Sequence, residues 1–334
     1  MYRLAFLVAL AVFGCRKSNN ATTGGTSNLA NRSNGSQSIQ NGGSNAVSTD
    51  KKHSPGSIAV RSNVPKSAVK IVAFGDFGAK TQMMRKTMDT YHQKTPNPDM
   101  VFLLGDNTYS KFSRPTEYDI FFDFVARGSA APHYPILGNY EYQLGVVPQM
   151  LDLSKIDSRW ILPSTYHFQR FTEMGFSICV WFIDTEQFGR NQGMWLDQSI
   201  TTEKPTCTWT IVNGHKPGAV QASGPKWTTA HLEKYLEPML DKHMIDVYLC
   251  GHHHASQHLV STVSKRHVFI VGQIMESHAG INLAFQPPEL VWKTTAEPAY
   301  LELDISANKI DFAFHSGYTP AGSPPIHSGV INRV

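Results

Sequence analysis

Seven residues of this chain have side chains suited to holding metal ions: Asp76, Asp106, Tyr109, Asn139, His215, His252 and His254. They fall in five short blocks, GDFG (75–78), GDNTY (105–109), GNYE (138–141), GHKP (214–217) and GHHH (251–254). Seven oxygen and nitrogen donors exceed the needs of one tetrahedral ion and are enough for two ions sharing a bridge. Taken singly, each block is weak evidence. A Gly-Asp after a strand is usually a turn. Gly-His-Lys-Pro alone would pass for a loop, and Gly-His-His-His for a surface cluster. Their order along the chain carries the argument, because the context of each block supports the same chemistry.

That context is a buried strand before each block. The runs KIVAF, MVFLL, YPIL, TWTIV and VYLC precede the five blocks in turn. The donors therefore belong on loops at strand ends, where an α/β sheet builds its sites. The spacing predicts strands at Lys70–Phe74, Met100–Leu104, Tyr134–Leu137, Phe176–Ile183, Thr208–Val212, Val247–Cys250 and Val268–Val271. Helices are expected at Gln82–Lys94, Thr116–Val125, Trp195–Ile200 and Thr228–His243. The first should bury Met83, Met84, Thr87, Met88 and Tyr91, and the last Leu232, Tyr235, Leu236, Met239 and Leu240. Gly145–Ser164 reads as an irregular loop or lid, and Leu301–Ile305 with Lys309–His315 as a terminal hairpin. Mixed strands with helices outside them point to a layered α/β sandwich.

The rest of the chain narrows the function. Residues 1–15 hold Met1-Tyr2-Arg3, an apolar run from Leu4 to Phe13, and Gly14-Cys15. The run is too short to span a bilayer and fits a secretory signal, with Cys15 also placed as in a lipobox. Residues 16–63 are rich in Ser, Asn, Gly and Thr, a composition that makes a disordered linker. They include N-x-S/T sites at Asn20, Asn31 and Asn34. Residues 64–334 are then one folded domain. The net charge is +4, but Lys and Arg are spread along the chain, which gives nucleic-acid binding no support. Four cysteines are too few for a disulfide scaffold. Cys179 and Cys207, on or beside apolar strands, are a candidate pair in an oxidising compartment. Cys250 reads as a small buried hydrophobe. The expected location is secreted, cell-surface or periplasmic, with a membrane reached only through an N-terminal lipid anchor.

The ordered set of blocks resembles the purple acid phosphatases, most closely their small, mammalian tartrate-resistant type, within the calcineurin-like metallophosphoesterases. The likeness runs from about Lys70 to His315. Relatives outside this branch usually carry a histidine two residues after the first aspartate, where this chain has Gly78; Tyr109 stands three residues after Asp106 instead. The resemblance implies a four-layer sandwich of two mixed β-sheets flanked by helices. It implies a binuclear centre, with Asp76, Tyr109 and His254 on Fe(III), Asn139, His215 and His252 on Fe(II), Zn(II) or Mn(II), and Asp106 between them. Anionic oxygens suit the trivalent ion, and neutral imidazoles with an amide oxygen suit the divalent one. His253, between two ligands, is expected to face away in an extended segment.

The activity so implied is an acid phosphatase hydrolysing phosphate monoesters by a metal-activated hydroxide, on a small molecule or a phosphoprotein, as a monomer. The chain departs from the family at two positions. Tyr140 and Ser223 stand where the family has histidines that contact the substrate phosphate or assist the leaving group. A tyrosine with a pKa of about 10 is a poorer acid near neutral pH, and losing general acid help typically costs roughly 10²–10⁴-fold. His133, His258 and His278 are other histidines near the motifs, and each reads better as a surface or core residue. The alternative is a metal-binding, weakly catalytic scaffold on the same fold.

Overall fold

The computed structural model describes residues 67–224, 229–272, 274 and 281–333. The signal and linker segments, the three asparagines within the linker, the first residues of the expected domain and His278 lie outside them.

Two mixed sheets make up the described chain. The first holds β1 (Val69–Phe74), β2 (Met100–Leu103), β3 (His133–Pro135), β11 (Ala299–Ile305), β12 (Lys309–Ser316) and β13 (His327–Asn332). Its order is β13-β12-β11-β1-β2-β3, with β1, β2 and β3 parallel and the remainder antiparallel. The second holds β4 (His167–Glu173), β5 (Phe176–Phe182), β6 (Trp209–Asn213), β7 (Val247–Cys250), β8 (Ser256–Val260), β9 (His267–Val271) and β10 (Leu290–Thr294). Its order is β10-β8-β9-β7-β6-β5-β4, with β5, β6, β7 and β9 parallel. Six α-helices accompany them among the described residues: α1 (Gln82–Lys94), α2 (Pro115–Ala126), α3 (Asn139–Gln143), α4 (Val147–Leu153), α5 (Arg190–Glu203) and α6 (Ala230–Lys242).

The sheets pack face to face, and their aromatic residues show it. Phe102 of β2 meets Phe182 of β5 edge-on at 5.4 Å, and Tyr134 of β3 stacks on the same ring at 5.5 Å. Burying one such ring contributes about 1.5–3 kcal/mol, so this layer accounts for much of the stability. α1 lays Met84, Met88 and Tyr91 into the same core. A second core lies between the other sheet and its helices, joining Trp181 with Leu196 and Ile200 of α5 and Leu232, Leu236 and Leu240 of α6. Sheet on sheet with helices outside gives the four expected layers. Cys179 and Cys207 form a disulfide, and Cys250 is a buried thiol.

Several expectations shift. Gly145–Ser164 is no irregular lid: it contains α4, and it buries Met150, Leu153, Trp160 and Leu162. The Trp160 indole N–H donates to the Met150 carbonyl at 3.0 Å and its ring packs on Tyr118 and Phe122 of α2, so the segment joins the main core. α5 extends well beyond Trp195–Ile200 at both ends. Within α6 the buried row steps by four through Leu232, Leu236 and Leu240, leaving Tyr235 55% exposed. In α1, Thr90 joins the buried residues while Met83 is only half-buried. Strands β4, β8, β10 and β13 had no expectation, since polar residues interrupt their apolar pattern. His253 does not sit in an extended segment, because the chain there makes tight turns.

Candidate metal centre

All five blocks follow parallel strands. Asp76 follows β1, Asp106 and Tyr109 follow β2, and Asn139 opens α3 after β3. From the other sheet, His215 follows β6, and His252 and His254 follow β7. The carboxyl ends of neighbouring parallel strands form the crevice where α/β sheets bind ligands.

Holding donors so close demands unusual backbone. Asp76, Asp106 and His252 have φ of 57°, 49° and 64°, the left-handed region that non-glycine residues enter at a cost of order 1–3 kcal/mol each. Two glycines make the room. A Cβ on Gly138 would lie 2.3 Å from Asp106 Oδ1, and one on Gly251 would lie 2.4 Å from Asp76 Oδ2. These blocks need glycine for close approach as well as for turning.

The donors converge on Asp106. Its Oδ1 lies 3.4 Å from His215 Nε2, and its Oδ2 lies 3.4 Å from the Tyr109 hydroxyl. His215 Nε2 is in turn 3.2 Å from Asn139 Oδ1. The Tyr109 oxygen is 3.4 Å from His254 Nε2, which is 3.4 Å from Asp76 Oδ1. One donor atom from each of Asp106, His215 and His252 falls within a 4.8 Å span. Two ligands bound at about 2.1 Å to one ion sit roughly 3–3.4 Å apart, so these spacings suit metal ligation. Asp76 Oδ1 is buried and accepts no hydrogen bond among the described residues, a polar atom that a cation would satisfy.

Electrostatics point the same way. Burial works against ionisation of Asp106, but the His215 imidazole holds its carboxyl below the usual range. Burial likewise opposes charge on His215, yet Asp106 and Asp76 push its pKa up to about 10. Burial, with Asp76, Asp106 and Glu141, drives the Tyr109 phenol far above its ordinary value. A buried site with this much negative charge favours a cation.

Tyr140 and Ser223 are placed differently from one another. The Tyr140 N–H donates to Asp106 Oδ1 at 3.0 Å, and its ring meets Tyr109 edge-on at 4.4 Å. Ser223 is fully buried, with its Oγ 2.9 Å from His253 Nδ1 and accepting from Gln257 Nε2 at 2.7 Å. His133 is a core residue: its Nδ1 lies 2.9 Å from the Ala131 carbonyl, its ring meets Phe122, and burial lowers its pKa to about 4. His258 is bonded to His267 and His327.

Sequence reasoning missed three supports of the site. Glu141 is fully buried and accepts from the Thr108 N–H at 3.1 Å and the Gly138 N–H at 2.6 Å, tying the second and third blocks together. Burial, with Asp106, pushes its pKa up to about 8. A Glu three residues after a helix N-cap was the available signal. Asp184, just after β5, accepts the Tyr142 hydroxyl. His215 Nδ1 lies 2.8 Å from the Leu104 carbonyl, an orienting contact made across the two sheets.

The calcineurin-like phosphoesterase profile matches residues 69–256, more than half of the chain. The chain belongs to that family of metallophosphoesterases, whose fold it carries. The family implies a binuclear metal centre, and the donors around Asp106 are its candidate site. Among individual proteins, tartrate-resistant acid phosphatase type 5 of Sus scrofa is 29% identical over 248 residues, covering 61% of this chain and 70% of that protein. Two solved structures share the fold. One is GAP50, described as the anchor in the inner membrane complex of Plasmodium, at TM-score 0.68 and 18% identity over 80% of this chain and 90% of that one. The other is the purple acid phosphatase PPD1 of yellow lupin (Lupinus luteus), at TM-score 0.64 and 14% identity over 80% of this chain and 54% of that one.

Proposed function

We infer that this chain is an acid phosphatase hydrolysing phosphate monoesters at a binuclear centre of Fe(III) with Fe(II), Zn(II) or Mn(II). The observation that carries the reading is Asp106, which turns one oxygen toward His215 and the other toward Tyr109, while His215 also lies against Asn139. A carboxylate so shared suits a bridge between two ions. Asp76, Tyr109 and His254 form the oxygen-rich half suited to a trivalent ion, and Asn139, His215 and His252 the half suited to a divalent one. When bound, the two ions would neutralise phosphate charge and supply an activated water. Asp106 and its neighbours would hold them in register, and Tyr140, whose ring packs against Tyr109, would donate a hydrogen bond to substrate. Residues 1–15 would serve export in this reading, with a monomer as the working unit.

The experiment pairs metal analysis with hydrolysis of p-nitrophenyl phosphate at acidic pH on one purified sample. Two ions per chain with turnover support the reading; protein that binds no metal sinks it. A visible absorption band that disappears in Tyr109→Phe would assign the phenolate to iron, and iron-loaded protein lacking the band would remove Tyr109 from the ligands.

A second reading rests on the absence of imidazole at Tyr140 and Ser223. A metal-binding, weakly catalytic scaffold or binding protein is compatible with the same donors, because fold does not dictate turnover. The Plasmodium protein of the same fold is described as an anchor. Full metal loading with no turnover, even in Tyr140→His, would favour this reading.

A further inference from the structure

The segment His252–His254 supplies two of the assigned ligands from one turn, and the turn is tight. His252 is left-handed at φ 64°. The His253 N–H donates to the Gly251 carbonyl at 2.7 Å, and the Ala255 N–H to the His253 carbonyl at 2.6 Å. Two three-residue turns therefore follow one another. The end of β9 presses on them: a Cβ at Gly272 would lie 2.4 Å from the His253 oxygen. Backbone held this way persists only where its surroundings fix it.

A chain of buried hydrogen bonds does so. Gln221, Ser223, His253 and Gln257 are all buried. Gln257 Oε1 accepts the Ala222 N–H at 2.8 Å, which identifies the other end of the amide as the donor to Ser223 Oγ, 2.7 Å away. The same Oγ lies 2.9 Å from His253 Nδ1, a hydrogen bond that joins the serine to the imidazole. The bonds thus form one continuous chain from Ala222 through Gln257 and Ser223 to His253. The serine backbone is fixed as well: its N–H donates to Gln221 Oε1 at 2.6 Å, and its carbonyl accepts the Asn282 N–H at 2.9 Å.

We propose that Ser223 is a positioning residue: by holding the His253 ring it locks the turn that aims His252 and His254 at the metal ions. The proposal rests on the metal assignment of the phosphatase reading and removes Ser223 from contact with substrate. It is tested by titrating metal-free protein with Zn(II) by calorimetry, alongside the visible spectrum of iron-loaded protein. Ser223→Ala should weaken Zn(II) binding by about 10–100-fold, the usual cost of losing a residue that orients a ligand, and Ser223→Thr should restore most of it. The iron-loaded Ala variant should also show a shifted absorption maximum, as His254 changes its approach.

Unchanged Zn(II) affinity in Ser223→Ala, with lowered kcat, would return the serine to the substrate and overturn the proposal. A lowered melting temperature of the metal-free variant with unchanged affinity would also overturn it, leaving a merely structural role. Should Ser223→Ala fail to fold, Ser223→Cys keeps the size with a weaker donor and must show the same ordering of affinities. Wild-type protein that binds no Zn(II) or iron fails the phosphatase reading and this proposal together. Wild-type binding with an indifferent Ala variant fails this proposal alone.

Discussion

His215, at the end of β6, is fully buried beside the Asp106 carboxylate, and its pKa rises to about 10. His258, within β8, is also buried, yet its pKa falls to about 3. The difference is the company each keeps. His258 has His327 Nε2 at 2.9 Å on one side and His267 Nδ1 at 2.9 Å on the other. Its ring stacks on Phe269 at 4.7 Å and meets Phe312 at 4.8 Å, while Trp292 stacks on His327 at 4.6 Å. Burial lowers the pKa of all three histidines. One group of imidazoles is arranged around anionic oxygen and suited to cations. The other is a neutral, aromatic junction joining β8 and β9 of one sheet to β13 of the other. Burial alone therefore says little about a histidine; its partners decide whether it attracts or rejects positive charge.

The comparison breaks most directly at Asp106. Asp106→Asn removes the charge that both halves of the centre share, and phosphatase turnover should fall by more than about 10³-fold with loss of at least one ion. Retention of both ions and of activity would mean that the carboxylate does not bridge. Gly138→Ala tests the same region through sterics, because its Cβ would lie 2.3 Å from Asp106 Oδ1. A displaced Asp106 should weaken metal binding by about 10–100-fold, read by competition with a chelator. Tyr140→His acts in the opposite direction. With an imidazole restored beside the centre, kcat at acidic pH should rise by roughly 10–10²-fold with metal content unchanged. No gain would indicate that the leaving group needs no proton from that position.

The two regions also differ in how well the sequence announced them. The five blocks were legible because each opens shortly after an apolar strand, and β1, β2 and β7 begin and end within a residue of where their apolar runs do. The junction around His258 was not. β8 reads Ser-Gln-His-Leu-Val, a pattern no alternation rule assigns to a buried strand, and Gln257 and His258 tolerate burial because residues of other segments satisfy them. Glu141 and Ser223 were visible as residues, but their hydrogen bonds join segments far apart in the chain. Tyr235 was misplaced because three- and four-residue spacing defines a helical stripe without fixing its edges.

The smallest expected effect concerns the junction and its response to acid. His258 and His267 have folded pKa values of about 3 and about 4, against an ordinary 6.5. A histidine harder to protonate in the folded chain contributes stability in full above pH 6.5. That contribution drains away as pH falls toward the folded value, because the unfolded chain takes up the proton first. At pH 4.5 the loss at His258 amounts to about 2–3 kcal/mol, or roughly 5–10 °C in melting temperature for a domain of this size. Replacing His258 with phenylalanine extends the Phe269 and Phe312 cluster and removes the titrating ring. It leaves nitrogens of His267 and His327 without that partner, at a cost of about 1–3 kcal/mol at neutral pH. Melting curves of metal-free protein at pH 7.5 and 4.5 would separate the two effects. His258→Phe should start lower at pH 7.5 and lose less on acidification, whereas equal losses in both proteins would move the acid sensitivity elsewhere, to buried groups such as His133, and deny the junction its role.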